Sequence, residues 1–132
     1  MSTIAPPQNP EADPRVKAVF DDIRATRQTD FINNMWRYLA FDPALLEQTW
    51  AEVKRVMATP STLDPLTKEL VYLAVSISNG CDYCIASHGA SARKKGMTTA
   101  MLGELIAVVG MANETNRLAN GLRFPVDEAF RR

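Results

Sequence analysis

An aspartate followed directly by a proline occurs three times in this chain, at residues 13–14, 42–43 and 64–65. Aspartate is a preferred N-cap of α-helices, because its carboxylate accepts a hydrogen bond from an unpaired N–H group of the first turn. Proline suits the first helical position, since its φ angle is already helical and it has no N–H group. Each pair therefore predicts the start of a helix. No segment alternates polar and apolar residues between hairpin turns, so the sequence predicts an all-α fold, a compact bundle of about six or seven helices.

Apolar residues at helical spacing extend these starts into helices. In the first helix, which begins at Pro14, the apolar stripe consists of Val16, Val19, Phe20 and Ile23. The later helices are predicted at about residues 32–40, 43–57, 65–78 and 81–96, followed by one that Thr98 caps. After Gly110, residues 111–122 are predicted to form a separate or kinked helix. Because Asn79-Gly80 is a helix breaker, the helices on either side of it are predicted to form a central antiparallel hairpin.

Length and charge limit the domain organisation and the partners. We expect an extended arm at residues 1–12, which contain three prolines, and a single helical domain at residues 13–132. Fifteen Lys and Arg balance fifteen Asp and Glu, so no net field attracts nucleic acid or an anionic membrane. The longest basic run, residues 93–95, lies near a predicted helix end, where cations interact favourably with the helix dipole.

Two features of the chain bear on its compartment. No apolar run approaches the ~18 residues that span a bilayer, and residues 1–10 lack the basic and apolar regions of a signal peptide. We therefore expect a cytoplasmic protein in a reducing environment. In that environment a cysteine pair is more often catalytic or metal-binding than a permanent cross-link.

The only two cysteines and the only histidine of the chain fall within eight consecutive residues, as Cys81, Cys84 and His88. The cysteines are three residues apart at a predicted helix start, a spacing from which a disulfide can close. His88 follows Cys84 by one helical turn, so both lie on one face about 6 Å apart. A helix N-terminus and a nearby base both favour the thiolate, the nucleophilic form of cysteine. The cluster predicts thiol redox chemistry.

Glu69 lies in the predicted helix at 65–78, which is apolar around almost its whole circumference, so we expect protein to cover most of this helix. Its neighbours favour a partly buried carboxylate; the alternative is a surface glutamate near a helix N-terminus. In a hairpin around Gly80, the helical rise places Cys84, His88 and Glu69 at ~5, ~10 and ~15 Å from the turn. This order predicts a proton relay in which Glu69 orients His88 and His88 accepts the proton of Cys84.

Two other interpretations of the cysteine cluster stay open. A catalytic zinc ion held by two cysteines and one histidine would fit the residue types, whereas structural zinc normally requires four ligands. Alternatively, the cysteines are small apolar residues and the histidine caps a helix. Our preferred interpretation includes neither a metal nor another cofactor.

The residues Glu69, Cys81, Cys84 and His88 form the pattern E-x11-C-x2-C-x3-H. In this pattern the chain resembles the alkylhydroperoxidase D-like group of the carboxymuconolactone decarboxylase superfamily. Similar flanking sequence covers residues 41–46, 63–69 and 96–97. The resemblance implies that Cys84 attacks a peroxide, that Cys81 resolves the oxidised sulfur, and that His88 with Glu69 deprotonates Cys84.

The resemblance also implies an all-helical fold that assembles into a homotrimer or homohexamer with active sites near the subunit contacts. Some members of the group have a second histidine immediately before the second motif cysteine, where this chain has Tyr83. The decarboxylase branch of the superfamily lacks the cysteine pair, so the resemblance does not imply lactone decarboxylation.

Together, the residues and the resemblance predict a thiol-dependent hydroperoxide reductase, with a hydroperoxide as substrate and a protein or small thiol as reductant. The alternatives are a disulfide reductase that recycles a partner protein, and a redox- or metal-binding module without turnover. The aromatic residues before the site are more than a small bundle can cover, so a homo-oligomer is expected. These residues are Phe31, Trp36, Tyr38, Phe41 and Trp50.

Overall fold

The computed structural model of the chain describes residues 2–131; residues 1 and 132, the ends of the predicted arm and of the predicted domain, lie outside the described part. The chain divides into two compact units, Met1–Pro60 and Ser61–Arg132. Residues 2–131 contain six α-helices and no β-strand, which confirms the all-α prediction. The single domain at residues 13–132 stays a prediction.

The first unit contains three α-helices. They are α1 (Pro14–Arg27), α2 (Asn34–Leu39) and α3 (Pro43–Val53), and a π-helical turn at Lys54–Ala58 extends α3. Before them, a 3-10 turn at Pro10–Ala12 ends the stretch that was predicted as an arm. Glu11 in this turn forms an ion pair of 2.8 Å with Arg24 of α1. The end of the arm is therefore attached to the unit.

The predicted apolar stripe of α1 lies in the core of this unit. Its four members, Val16, Val19, Phe20 and Ile23, are all buried, so the periodicity located this core correctly. Trp36 of α2 and Trp50 of α3 pack edge to face in the same cluster, with their ring centroids 5.4 Å apart. Phe31 and Phe41, in contrast, are exposed.

The second unit also contains three α-helices. They are α4 (Pro65–Asn79), α5 (Asp82–Lys94) and α6 (Thr99–Leu122), followed by a 3-10 turn at Glu128–Phe130. α6 continues through Gly110, so the prediction of a separate helix at 111–122 is wrong, and a kink at Gly110 stays a prediction. A glycine inside a helix costs only about 1 kcal/mol relative to alanine, and the helix-forming residues on both sides outweigh that cost. Within the described residues, neither α6 nor any other helix is long and apolar enough to cross a membrane.

All three Asp-Pro pairs start helices as predicted. The carboxylates of Asp13, Asp42 and Asp64 accept hydrogen bonds from the backbone N–H groups of Arg15, Leu45 and Thr67. Thr98 caps α6 in the same way, through a bond from the N–H group of Met101. The chain therefore specifies these helix starts locally.

The helices α4 and α5 pack against each other as a hairpin. α4 ends at Asn79, and the next residue, Gly80, caps it in a left-handed backbone conformation (φ +69°) that glycine adopts without strain. Leu73 of α4 and Ala92 of α5 are buried with Met97 in one apolar cluster, which residues of α6 complete. This packing sets the rotation of both helices and so determines which of their side chains face each other.

The helix α4 buries polar residues and exposes apolar ones. Glu69 and Ser76 are 5% and 4% exposed, whereas Val71 and Val75 are 54% and 53% exposed. The single chain therefore leaves part of the apolar surface of this helix uncovered. All of α6 is described, and none of its residues is fully buried. Its exposed large apolar residues are Ile106, Val108, Met111, Leu118 and Leu122.

Candidate active site

The contact between Glu69 and His88 joins the two helices of the hairpin. Glu69 of α4 is almost fully buried, and its Oε2 atom lies 2.7 Å from Nδ1 of His88 on α5. The alternative of a surface glutamate is therefore wrong, because the packing of α5 covers this face of α4. The direct contact that the predicted relay requires is present, and the role of both residues in catalysis stays a prediction.

The other oxygen of Glu69 binds two residues that were not among the predicted site residues. Ser91 Oγ donates a hydrogen bond of 2.7 Å to Oε1, and Lys95 Nζ donates one of 2.9 Å to the same atom. Lys95 also donates to Ser91 Oγ over 2.6 Å. His88 and Ser91 lie on α5, and Lys95 is its C-cap residue. Their spacing of i, i+3 and i+7 could have placed all three on one face.

The three donors keep Glu69 ionised. Burial by itself raises the pKa of this carboxyl, since it disfavours the charged form. The hydrogen bonds from His88, Lys95 and Ser91 outweigh burial and lower the pKa from 4.5 to about 2. At neutral pH the carboxylate is therefore a hydrogen-bond acceptor only.

The ionised carboxylate defines the tautomer of His88. Because Oε2 of Glu69 carries no proton, the proton of the 2.7 Å contact lies on Nδ1 of His88. In the neutral ring, Nε2 then has the free lone pair and can accept a proton. Tyr72 of α4 stacks on the imidazole, with ring centroids 3.5 Å apart and planes at 20°. Glu69 and Tyr72 together hold the ring in one orientation.

The two cysteines lie at the start of α5, where they form a disulfide with Cα atoms 5.3 Å apart. Cys81 is the N-cap residue of the helix, and its sulfur accepts a hydrogen bond of 3.3 Å from the backbone N–H of Cys84. Both cysteines are partly exposed. A sulfur at a helix N-terminus is a favourable place for negative charge, so this position favours thiolate chemistry in the reduced pair.

The candidate site thus consists of a hydrogen-bonded pair and a disulfide-bonded pair on one helical hairpin. Glu69 and His88 form one pair, Cys81 and Cys84 form the other, and Cys84 stands one helical turn before His88 on α5. Tyr83, between the cysteines, is 44% exposed. Among residues 2–131, no group of three or more His, Cys, Asp or Glu side chains is placed to hold a metal ion.

Comparisons with known proteins agree with this architecture. The sequence model of the carboxymuconolactone decarboxylase family matches residues 43–127, which is more than half of the chain. The alkyl hydroperoxide reductase AhpD of Maricaulis maris (strain MCS10) is 40% identical over 58 residues, a match covering 44% of this chain. That match spans only a third of the length of the Maricaulis protein, 33%.

A solved structure is similar over almost the whole chain. The crystal structure of the alkylhydroperoxidase AhpD core from Rhodospirillum rubrum ATCC 11170 is 55% identical in sequence and has a TM-score of 0.93. The similarity covers 98% of this chain and 97% of the Rhodospirillum chain. The chain therefore belongs to the carboxymuconolactone decarboxylase family, and within it to the AhpD-like proteins.

Proposed function

We propose that this chain is a thiol-dependent hydroperoxide reductase. The observation that carries the proposal is the position of the Cys81–Cys84 disulfide at the start of α5. One helical turn after Cys84, the same helix carries His88, which Glu69 of α4 orients. This arrangement supports the proposal, because a redox-active sulfur pair lies one helical turn before an imidazole that Glu69 orients. The alkylhydroperoxidase names of the Maricaulis and Rhodospirillum relatives support the same activity.

In the proposed reaction, Cys84 is the attacking thiol. His88 accepts the thiol proton on Nε2, while Glu69 stabilises the imidazolium that forms. The thiolate attacks one oxygen of the hydroperoxide and the O–O bond breaks. The alkoxide leaves with the proton from His88 as an alcohol, and Cys84 becomes a sulfenic acid.

Cys81 then completes the oxidation. Its thiol attacks the sulfenic sulfur of Cys84, the S–O bond breaks, and water leaves as the disulfide forms. The two thiols have supplied the two electrons that reduce the peroxide. A protein dithiol or two small thiols restore the pair by thiol–disulfide exchange, which requires a reducing compartment such as the cytoplasm.

A homotrimer or homohexamer is part of the proposal. Support comes from the apolar surface of α4 and α6, which includes Val71 and Val75 and which the single chain leaves exposed. A surface of this kind typically marks an interface between proteins. The resemblance implies that a second copy of this chain covers this surface.

Anaerobic stopped-flow oxidation of the fully reduced protein tests the function. The reduced protein is mixed with hydrogen peroxide, an alkyl hydroperoxide and an aryl hydroperoxide, and mass spectrometry then locates the oxidised sulfurs. We expect loss of two thiols per chain, formation of the intramolecular Cys81–Cys84 disulfide, and a rate well above that of the Cys84→Ser variant. Equal rates in the wild type and in Cys84→Ser would contradict the proposal.

The same preparation separates the main alternative. A protein disulfide reductase would exchange rapidly with a disulfide substrate and react with peroxides no faster than free cysteine does. A redox-responsive module without turnover would form the disulfide once and would not be recycled by a dithiol.

A further inference from the structure

The two oxygens of the Glu69 carboxylate bind different side chains. His88 binds Oε2 at 2.7 Å, and Lys95 binds Oε1 at 2.9 Å. Ser91 reinforces the Lys95 contact, since it donates to Oε1 and accepts from Lys95. Glu69 is buried, whereas the Lys95 side chain is 36% exposed. Lys95 therefore reaches from the surface to neutralise an inner carboxylate.

The position of Lys95 affects the charge of His88. A buried carboxylate with no other cation favours a protonated imidazole beside it, because opposite charges at contact stabilise each other. With Lys95 in place, the network of Glu69, Lys95 and a neutral His88 already has zero net charge. A proton added to His88 would then leave an excess positive charge in a partly buried site. A histidine acts as a general base only in its neutral form.

We propose that Lys95 is a positioning residue of this site, which neutralises Glu69 from the oxygen opposite His88 and so keeps the imidazole neutral, with its proton on Nδ1. The catalytic benefit of a neutral imidazole rests on the proposed function, whereas the experiment below measures the charge of His88 without any turnover. Its basis is the pair of contacts on Glu69. A lysine that only interacts with the end of the α5 dipole would lie along the surface without touching this carboxylate.

Several other charged groups lie on α4, α5 and α6. On α4, Glu69 and Tyr72 contact the imidazole, and the half-buried Lys68 is the neighbour of Glu69 in sequence. On α5, Cys84 lies one turn away, and the charged residues with exposed side chains are Asp82, Arg93 and Lys94. The helix α6 packs on α4, and its charged residues, Glu104, Glu114 and Arg117, are all exposed. Lys95 donates directly to the carboxylate that holds His88.

The chain has one histidine, so the imidazole gives a single, unambiguous NMR titration. The experiment compares the wild type with Lys95→Gln, both in the disulfide form. We expect the midpoint of the imidazole titration to lie roughly one pH unit higher in Lys95→Gln than in the wild type. The reason is that the variant loses a positive charge that disfavours the protonated imidazole nearby. The Lys95→Arg variant should restore the wild-type midpoint. If Lys95→Gln does not fold, Lys95→Met keeps the length of the side chain and removes the same charge.

Lys94→Gln is the matched control, since it removes the same charge from the neighbouring, exposed position of α5. Its midpoint should stay close to that of the wild type. An equal shift in both variants, or no shift in Lys95→Gln, would overturn the inference. In the reduced enzyme, the acidic limb of the peroxide-reduction profile should move to higher pH in Lys95→Gln by the same amount as the imidazole midpoint. Because the NMR titration needs no turnover, a protein without peroxidase activity would refute the proposed function while leaving this inference testable.

Discussion

Nδ1 of His88 lies 2.7 Å from Oε2 of Glu69, and the carboxylate that it contacts is almost fully buried between α4 and α5. The two residues are 19 positions apart in the sequence, and the turn at Gly80 brings their helices together. This contact orients the imidazole, and four expected outcomes depend on it or on the helices that form it.

Removing either member of the pair should slow peroxide reduction. Glu69→Gln keeps the shape of the side chain but loses the charge, so His88 becomes a weaker base, and His88→Ala removes the base. General-base assistance is typically worth ~10²–10⁴ in rate, so stopped-flow rates should fall by at least tenfold in each variant. The double variant should be little slower than the slower single variant, because the two residues act as one unit. A wild-type rate in Glu69→Gln would show that Glu69 has only a structural role.

The two cysteines should differ in reactivity. In Cys81→Ser, peroxide should oxidise Cys84 to a sulfenic or sulfinic acid, because Cys84 stands one turn before His88. In Cys84→Ser, Cys81 should stay largely unreactive at neutral pH. Mass spectrometry after a short peroxide pulse measures both. Faster oxidation of Cys81 would reverse the roles, and the hydrogen bond from the N–H of Cys84 to the Cys81 sulfur would be its physical cause.

The network around Glu69 should make the fold sensitive to acid. The pKa of Glu69 is about 2 in the folded chain and its ordinary value is 4.5. The ionised form therefore contributes stability that is complete above the ordinary value and is lost as the pH falls towards 2. The difference in free energy of unfolding between wild type and Glu69→Gln should shrink by up to about 3 kcal/mol between pH 6 and pH 2. Urea denaturation at several pH values measures it.

Glu104→Gln, at an exposed position of α6, is the control for that measurement. It should leave the pH dependence of stability close to that of the wild type. If Glu69→Gln and Glu104→Gln behave alike, the contacts of Glu69 do not stabilise the folded chain.

The exposed valines of α4 should contribute to an interface between copies. Val71→Asp combined with Val75→Asp places two charges on this apolar surface, so the oligomer should dissociate while each chain stays helical. Light scattering at micromolar concentration gives the mass, and circular dichroism gives the helix content. Gln48→Glu, which adds a negative charge at an exposed position of α3, should leave the assembly intact. A wild-type protein that is itself monomeric would rule out the proposed oligomer.

Several parts of the fold were predictable because they depend on neighbouring residues. The three Asp-Pro helix starts, the Thr98 cap and the break at Gly80 each arise from hydrogen bonds or backbone angles within a few residues. The buried stripe of α1 follows from periodicity alone. At Gly110 the local signal was misleading, because the helix-forming residues on both sides outweigh the cost of one glycine inside a helix.

The sequence by itself determined where the helices begin and that two cysteines, a histidine and a glutamate of suitable chemistry lie at helical spacings. Only the tertiary structure decided that Glu69 is buried while Val71 and Val75 on the same helix are exposed. It also decided that Tyr72, Ser91 and Lys95 join the site. The physical reason is that burial and charge pairing depend on the rotation of α4 against α5. That rotation is set by packing between residues distant in sequence, which no local pattern specifies.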